Sequence, residues 1–338
     1  RSTPKPSSAA SDVYKRQAHY RSKVKKHQGR AVAVGFWHNG GGTSSANIYM
    51  NSDGTVALST GSIDLSGTRI ALAMLSAEEL GISVEKIASV VSDTDAVGYA
   101  DNSAGSRTLN ATGQAVVAAT REAITEMKLR AASGWNVAPD QVTWQDGEAR
   151  NDVTGEFITF EQICRDSQRT GGPITGSQAS QVTPGSAPSF SVHICDVDVD
   201  QETGKVSLLR YTTVQDAGQA IHLDAVEGQM QGGAVQGIGW ALNEEYVYNE
   251  HGALENPAFL DYRMPLTSDL PMIDTIVVEI PNDQHPYGVR GVGEAPIIPP
   301  LAAVAGAVSN AIGVRITRLP CSPPNILAEI DTANREIS

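Results

Sequence analysis

Gly288-Val289-Arg290-Gly291-Val292-Gly293-Glu294-Ala295-Pro296 places one carboxylate among three glycines, immediately before a run able to start a helix. Glycines let backbone approach a bound group closely and reach positive φ, and the free N–H groups at a helix start favour an anion. Two readings of Glu294 follow: a carboxylate facing a bound group, or a cap on the helix beginning near Pro296. The stretch is not G-x-G-x-x-G and follows no clear βαβ strand, so it does not read as a nicotinamide site.

Working outward, residues 300–312 and 324–331 carry helical patterns, and residues 244–248 and 273–280 read as strands. Upstream of these, residues 192–199 alternate, residues 200–205 turn and residues 206–214 return, which is a β-hairpin; a helix follows over 223–243. Nearer the start, strands are expected at 31–36, 46–50, 55–59 and 86–92, with helices at 70–80 and 112–130. A short strand and a helix fall between 152 and 168. Residues 169–188 are rich in Gly, Ser, Thr and Pro with little periodicity, and read as a loop. The expectation is an α+β protein with two lobes, 30–170 and 189–338, joined by a linker at 171–188. No repeat of 20 to 50 residues is apparent.

Residues 1–29 stand apart. Ser7-Ser8-Ala9-Ala10-Ser11-Asp12-Val13-Tyr14-Lys15-Arg16-Gln17 reads like a translated sequencing-adapter scar. The alternative is a natural basic, Ser-rich arm continuing through Lys23, Lys25 and Lys26. On the scar reading the chain is a fragment of a longer polypeptide.

The 338 residues are 41% hydrophobic and 19% charged, enough for a large core. Lys plus Arg number 25 against 38 Asp plus Glu, and the net charge of −13 argues against nucleic acid as a partner. No unbroken run of 18 apolar residues occurs, so no membrane span is expected. Cys164, Cys195 and Cys321 lie far apart without a C-x-x-C, and the seven histidines show no H-x-x-x-H pair. No side-chain metal site is expected, and any metal is expected to be held by a cofactor. Asp93, Asp95 and Asp101 lack the spacing of a calcium loop and read as turn chemistry. No G-x-S-x-G supports a hydrolase. A cytoplasmic enzyme piece is the expectation, with periplasmic export of a full-length protein left open.

Glycine inside a helix costs roughly 0.5–1 kcal/mol relative to alanine, so the expected helix holding Gly228, Gly232, Gly233, Gly237 and Gly239 needs a compensating reason. Close packing of another backbone is one; amides of Gln229 and Gln236, seven residues apart, offered to a buried polar ligand, are another. Before residue 112, Ala104-Gly105-Ser106-Arg107-Thr108 is either an ordinary capping loop or an anion site. Hydroxyls, a guanidinium and a helix N-terminus all favour phosphate.

From about residue 30 to residue 338 the chain resembles the C-terminal half of the molybdenum-binding large subunit of the xanthine dehydrogenase/aldehyde oxidase family. The resemblance is carried, in order and spacing, by residues 288–296, by Gln215-Asp216-Ala217-Gly218, by the glycine-rich run 227–239, and by Asn256-Pro257-Ala258-Phe259-Leu260-Asp261-Tyr262. It implies a molybdenum cofactor, molybdopterin or its cytosine dinucleotide, contacted by Gln229, Gln236, Gly232, Gly233, Gly67, Gly105, Ser106, Arg107, Thr108 and Gly293. Ser66 stands where the family commonly has a cofactor-contacting glutamine, which puts that contact in doubt. The resemblance also implies hydroxylation of an aldehyde or N-heterocyclic carbon with water-derived oxygen, Glu294 acting as general base. Electrons would leave to a 2Fe-2S and an FAD module on other subunits or domains. Implied partners are a small-molecule substrate, the N-terminal half of the same subunit and the iron–sulfur and FAD subunits; the fragment alone is expected to be inactive. Arg290 corresponds to a usually basic position, and either holds the loop or an anionic oxygen or pairs with a carboxylate. A non-catalytic relative that keeps the fold and binds partner subunits is the other reading.

Overall fold

The computed structural model describes residues 24–90 and 93–337. The adapter-like run, with the rest of residues 1–23, and the last two residues of the strand expected over 86–92 lie outside the described residues. Regular structure begins within the expected arm: β1 spans Gln28–Trp37.

The strands β2 (Gly42–Met50) and β3 (Val56–Thr60) form an antiparallel hairpin across the turn at 51–54, where Gly54 has φ +82° and Asp53 accepts the Thr55 N–H. Helix α1 (Thr68–Leu80) then crosses to β4 (Ile87–Val90), which runs parallel beside β3. Leu72, Leu75 and Leu80 on its buried face drive that packing, and Gly81, at φ +70°, ends the helix by returning its N–H to Ala77 O. Helix α2 (Thr108–Trp135) lies on the same sheet. After the small sheet β5 (Val142–Gln145), β6 (Glu148–Asn151) and β7 (Phe157–Thr159) comes α3 (Phe160–Thr170), started by a capping box between Thr159 and Gln162. The β5–β6 hairpin was not among the expected elements, although its Asp146-Gly147 turn is a strong hairpin signal.

Residues 169–188 are not a loop throughout. Ile174–Val182 is a strand, β8, antiparallel beside β2 at the edge of the sheet β4-β3-β2-β8. Its polar composition hid it, because apart from Ile174, Gly176 and Val182 most of its residues face solvent. Gly176 is buried because α2 crosses it so closely that a Cβ would stand 1.9 Å from Ala119 O.

The second sheet repeats the plan. β9 (Ser189–Val199) and β10 (Val206–Asp216) form a hairpin, α4 (Leu223–Leu242) crosses over, and β11 (Ile273–Val278) runs parallel beside β10. Helices α5 (Pro299–Ile312) and α6 (Pro323–Ile337) follow, α5 packing on β1 and β9. The fourth strand of each sheet is exchanged. β1, which leads into β2, pairs with β9, and β8, which leads into β9, pairs with β2. Residues 28–37 therefore belong to the second sheet and residues 174–182 to the first, across the boundaries expected at 30–170 and 189–338. Gly29 in β1 meets α5 as Gly176 meets α2, with its Cβ position 1.9 Å from Ala307 O.

Among the described residues two large cores result, one around Ile48, Leu58, Leu75, Leu80, Met127 and Phe160, the other around Tyr211, Ile238, Val304, Val308 and Ile326, with a small third cluster of Ala217, Val226 and Met230. The stretch Ala295–Ile312 is long and apolar enough to cross a membrane by composition, but Ala303, Val304, Ala307 and Val308 are fully buried in the second core. No strand forms at residues 244–248: only a single bridge, Tyr248 to Leu254, is present there, and Tyr246 and Tyr248 are exposed.

Candidate functional site

Because each half runs hairpin, crossover helix, strand, helix, the loops ahead of α1, α2, α4 and α5 converge. They enclose a cavity of about 230 Å³ lined from all four: Ile63 to Thr68 apart from Asp64, Ser103 to Leu109 in part, His222 with the first turns of α4, and Arg290 with Val292 to Glu294. Ligands of α/β proteins collect at the strand ends where crossover loops meet.

The glycine loop 288–296 is stitched to the end of β10. Arg290 N donates to Ala217 O at 3.1 Å, Gln219 N to Gly288 O at 3.0 Å, and a Cβ on Gly218 would meet Gly288 O at 2.2 Å. Gln215, fully buried, donates its amide to Val292 O at 3.0 Å. Arg290 closes the seam: its Nε lies 3.2 Å from Asp216 Oδ2 and donates to Ile280 O, while Nη1 donates to Pro188 O. It lines the cavity and is ion-paired to a half-buried carboxylate, so its first work is holding the loop.

Glu294 ends this loop, half-buried at the cavity wall. It is followed by a short 3-10 turn, Ala295–Ile297, and then by α5, with Pro299 at the first helical position. Its backbone N–H donates to Ser106 Oγ at 2.8 Å, and the same hydroxyl donates to Glu294 Oε2 at 3.3 Å. Gln229, on α4, also lines the cavity, and a Cβ on Gly293 would stand 3.2 Å from Gln229 Oε1. Ser66, Gly67 and Thr68 line the opposite wall, with the Ser66 and Thr68 hydroxyls 3.0 Å apart.

Other expected contacts are elsewhere. Arg107 is buried and points away: Nε donates to Gly41 O, Nη1 to Asp101 O, and Nη2 to Thr43 O and Ser44 Oγ. A guanidinium committed to four protein acceptors is not a phosphate ligand, and burial lowers its pKa from the usual value against the opposing pull of Asp101. Gly105, at φ +69°, makes the turn ahead of α2, its carbonyl accepting from Gly40 N and Trp37 Nε1. Gly233 and Gly237 accommodate Pro296 and Pro300, whose Cγ atoms would each be 2.7 Å from an added Cβ, while nothing lies near Gly228 or Gly232. Gln236 faces a second cavity, of about 450 Å³, with Trp240, Tyr246 and Tyr262. Seven residues on a helix keep a similar face, but about 10 Å of rise separates the two amides. In that second cavity Glu244 accepts the Tyr262 hydroxyl at 2.8 Å, which pushes the phenol up to about 12. Asp93 and Asp101 accept backbone N–H groups of Asp95 and Thr43, which is turn and loop chemistry.

Sequence reasoning passed over three residues. His222 caps α4 by accepting Ala225 N–H at Nδ1 and lines the cavity; a histidine just before a helical run was its signal. Ser103 lines the cavity and its buried Oγ has no partner. Asn39, fully buried, supports the Ser106 carbonyl through Nδ2 at 2.8 Å, and its only advance notice was the Asn39-Gly40-Gly41-Gly42 turn.

Residues 5–271 match the molybdopterin cofactor-binding domain family. The chain belongs to this family. Among curated proteins it is 31% identical over 314 residues to the gamma subunit of the 6-hydroxypseudooxynicotine dehydrogenase complex of Paenarthrobacter nicotinovorans, covering 90% of this chain and 39% of that one. It is 30% identical over 305 residues to a xanthine dehydrogenase molybdenum-binding subunit of Escherichia coli O157:H7, covering 88% and 40%. The chain thus spans about two fifths of the length of these relatives. Its fold is that of a Cu,Mo-CO dehydrogenase chain, with a TM-score of 0.83 at 22% identity over 96% of this chain and 44% of the other. An aldehyde oxidoreductase of Desulfovibrio desulfuricans superposes with a TM-score of 0.73 at 26% identity, covering 95% and 34%. The expected two-lobed α+β cofactor-binding fold and the family are therefore both established.

The cavity suits a molybdopterin. Helices α1 and α2 both begin at its wall, at Gly67 and Arg107; Asp64 Oδ1 accepts the Arg69 N–H of α1 at 3.3 Å, whereas α2 has no side-chain cap, so the first N–H groups of α2 remain for an anion. The unpartnered Ser103 Oγ adds one more hydrogen-bonding group. The three cysteines are buried elsewhere and, among the described residues, no group of three or more His, Cys, Asp or Glu side chains could hold a metal.

Proposed function

We propose that this chain is the cofactor-holding part of a molybdenum hydroxylase acting on an aldehyde or N-heterocyclic carbon, with Glu294 as general base. The observation that carries the reading is the Glu294 carboxylate at the wall of a cavity built by four loops, where Gly293 beside it adds no side chain between Gln229 Oε1 and Ser106 Oγ. When bound, the molybdenum cofactor supplies a two-electron oxidation of the substrate carbon with oxygen from water. The chain's own residues bind and orient. The N-terminal N–H groups of α2 hold the anionic end of the cofactor, Gln229 offers its amide beside Gly293, and Ser66, Gly67 and Thr68 line the cavity at the start of α1. Glu294 takes the proton at Oε1, the carboxylate oxygen not engaged by Ser106. Ile63, Leu65, Val226 and Val292 form the apolar side of the cavity, which favours a substrate of low polarity.

The electrons leave to iron–sulfur and FAD subunits, and the remaining part of a longer subunit completes the cavity. Exposed apolar side chains support such an assembly: Val32, Val34, Phe36 and Phe190 share the outer face of the second sheet, and Phe259, Leu260 and Met272 stand almost wholly in solvent.

The test is Glu294→Gln in the complete cofactor-loaded enzyme. A positioned base contributes about 10² to 10⁴-fold. Turnover should fall by that factor while molybdenum content stays at the unmutated level; a near-normal rate would sink the role.

A further inference from the structure

Ser106 sits at φ +60°, a left-handed conformation that a non-glycine residue holds only where its surroundings over-determine it. Here they do so from two sides. Behind it, the buried Asn39 donates to Ser106 O at 2.8 Å and accepts from Asn110 of α2 at 3.3 Å. In front, its hydroxyl accepts the Glu294 N–H at 2.8 Å and donates to Glu294 Oε2 at 3.3 Å. Gly291 is what allows the two loops to meet, since a Cβ there would lie 2.1 Å from Asn39 Nδ2 and 2.9 Å from Ser106 Cβ. A serine hydroxyl has one hydrogen to donate, so the donor expected for a phosphate is already spent on the carboxylate.

We propose that Ser106 is the positioning residue for Glu294. It brackets the backbone N–H and Oε2 of the same residue, so the side chain cannot swing and Oε1 is the oxygen presented to the cavity. This rests on reading Glu294 as the proton acceptor. A glutamate has three free side-chain torsions, and reactions between held groups lose about 10²-fold for roughly 1 Å of misplacement. The α2 turn thus orients the carboxylate as well as bordering the cofactor cavity. Because Ser106 comes from the first half of the chain and Glu294 from the second, the bracket also ties the two loops together across the cavity.

Ser106→Gly in the full-length enzyme is the decisive variant, because glycine accepts the left-handed backbone without strain and lacks only the hydroxyl. We expect kcat to fall about 10 to 100-fold with KM and molybdenum content near the unmutated values. A second readout needs no turnover. In the full-length subunit made without cofactor, the infrared carboxylate bands of Glu294, isolated by subtracting the Glu294→Gln spectrum, should move on Ser106→Gly at constant pH. Unmoved bands or an unchanged kcat overturn the proposal. If Ser106→Gly does not fold, Ser106→Ala, which keeps the backbone demand as it is, gives the same two readings. An inactive Glu294→Gln beside an unaffected Ser106→Gly removes only the bracket, whereas a near-normal Glu294→Gln removes the base as well.

Discussion

Gly176 of β8 and Ala119 of α2 touch without an intervening side chain: a Cβ on Gly176 would stand 1.9 Å from the Ala119 carbonyl oxygen and 3.2 Å from Ala123 N. Backbone cannot yield there as a flexible side chain would. Gly176→Ala should push α2 off the exchanged strand and destabilise by about 1–3 kcal/mol or more, as overpacking does. Gly29→Ala, against α5, should do the same. Urea unfolding followed by circular dichroism measures both, and a change under 0.5 kcal/mol would contradict the packing.

Arg107 serves structure through its whole guanidinium. Arg107→Met keeps the stem volume but strands Gly41 O and Asp101 O, while Thr43 O keeps the Asp101 N–H and Ser44 Oγ the Thr112 hydroxyl, and should cost about 2–6 kcal/mol, roughly 1–3 for each stranded carbonyl. Arg107→Lys should recover little, since one ammonium cannot reach the four acceptors of a planar fork. Equal stability of the lysine variant and the unmutated protein in denaturant titration would contradict this.

The two faces of the glycine-rich helix should respond in opposite ways. Gly232→Ala meets nothing within 4 Å and should stabilise by about 0.5–1 kcal/mol through helix propensity. Gly233→Ala presses on Pro296, two residues beyond Glu294, and should lower kcat about 10-fold or more, because small misplacements of the acceptor are costly. Thermal melts and steady-state rates of the pair check the contrast.

Acid should weaken the fold through two buried imidazoles. Burial lowers His285 from 6.5 to about 4 and His193 from 6.5 to about 3. His193 is further held neutral between the Tyr211 hydroxyl and Thr213 Oγ1. The unfolded chain binds these protons near 6.5 while the folded chain does not, so stability falls as pH drops below about 6.5, by up to about 1.4 kcal/mol per pH unit per group. The loss from His285 is complete near pH 4 and that from His193 near pH 3. His285→Asn retains an acceptor for the Tyr287 N–H now bound by Nδ1, and should flatten the slope between pH 6.5 and 4 in a melting series.

Local patterns in the chain were enough to locate the elements that bury one face, and to single out Glu294. Leu72, Leu75 and Leu80 write the period of α1, the alternation from Val192 to Val199 writes most of β9, and the Asp200 to Lys205 turn closes the hairpin. These are short-range rules, in which spacing and turn chemistry decide, and so they can be read along the sequence. The three glycines around Glu294 belong to the same class, because the lack of bulk is visible without knowing what approaches.

Everything that depends on a distant partner was settled by packing. β8 is polar, and becomes a strand only because β2 offers a hydrogen-bonding edge and α2 covers Gly176. β1 and β8 trade sheets because each pairs with a strand more than 120 residues away in sequence, Met50 with Ile174 being the nearest such pair, a relation no local period records. Arg107 carries the charge expected of an anion ligand, yet four carbonyl and hydroxyl oxygens from other loops claim it first. Gln229 and Gln236 share a helix face but open into different cavities, since the surfaces they meet come from other elements. The hydroxyl of Ser106 meets the Glu294 carboxylate across 188 residues of chain, and only folding could bring those two atoms within a hydrogen bond.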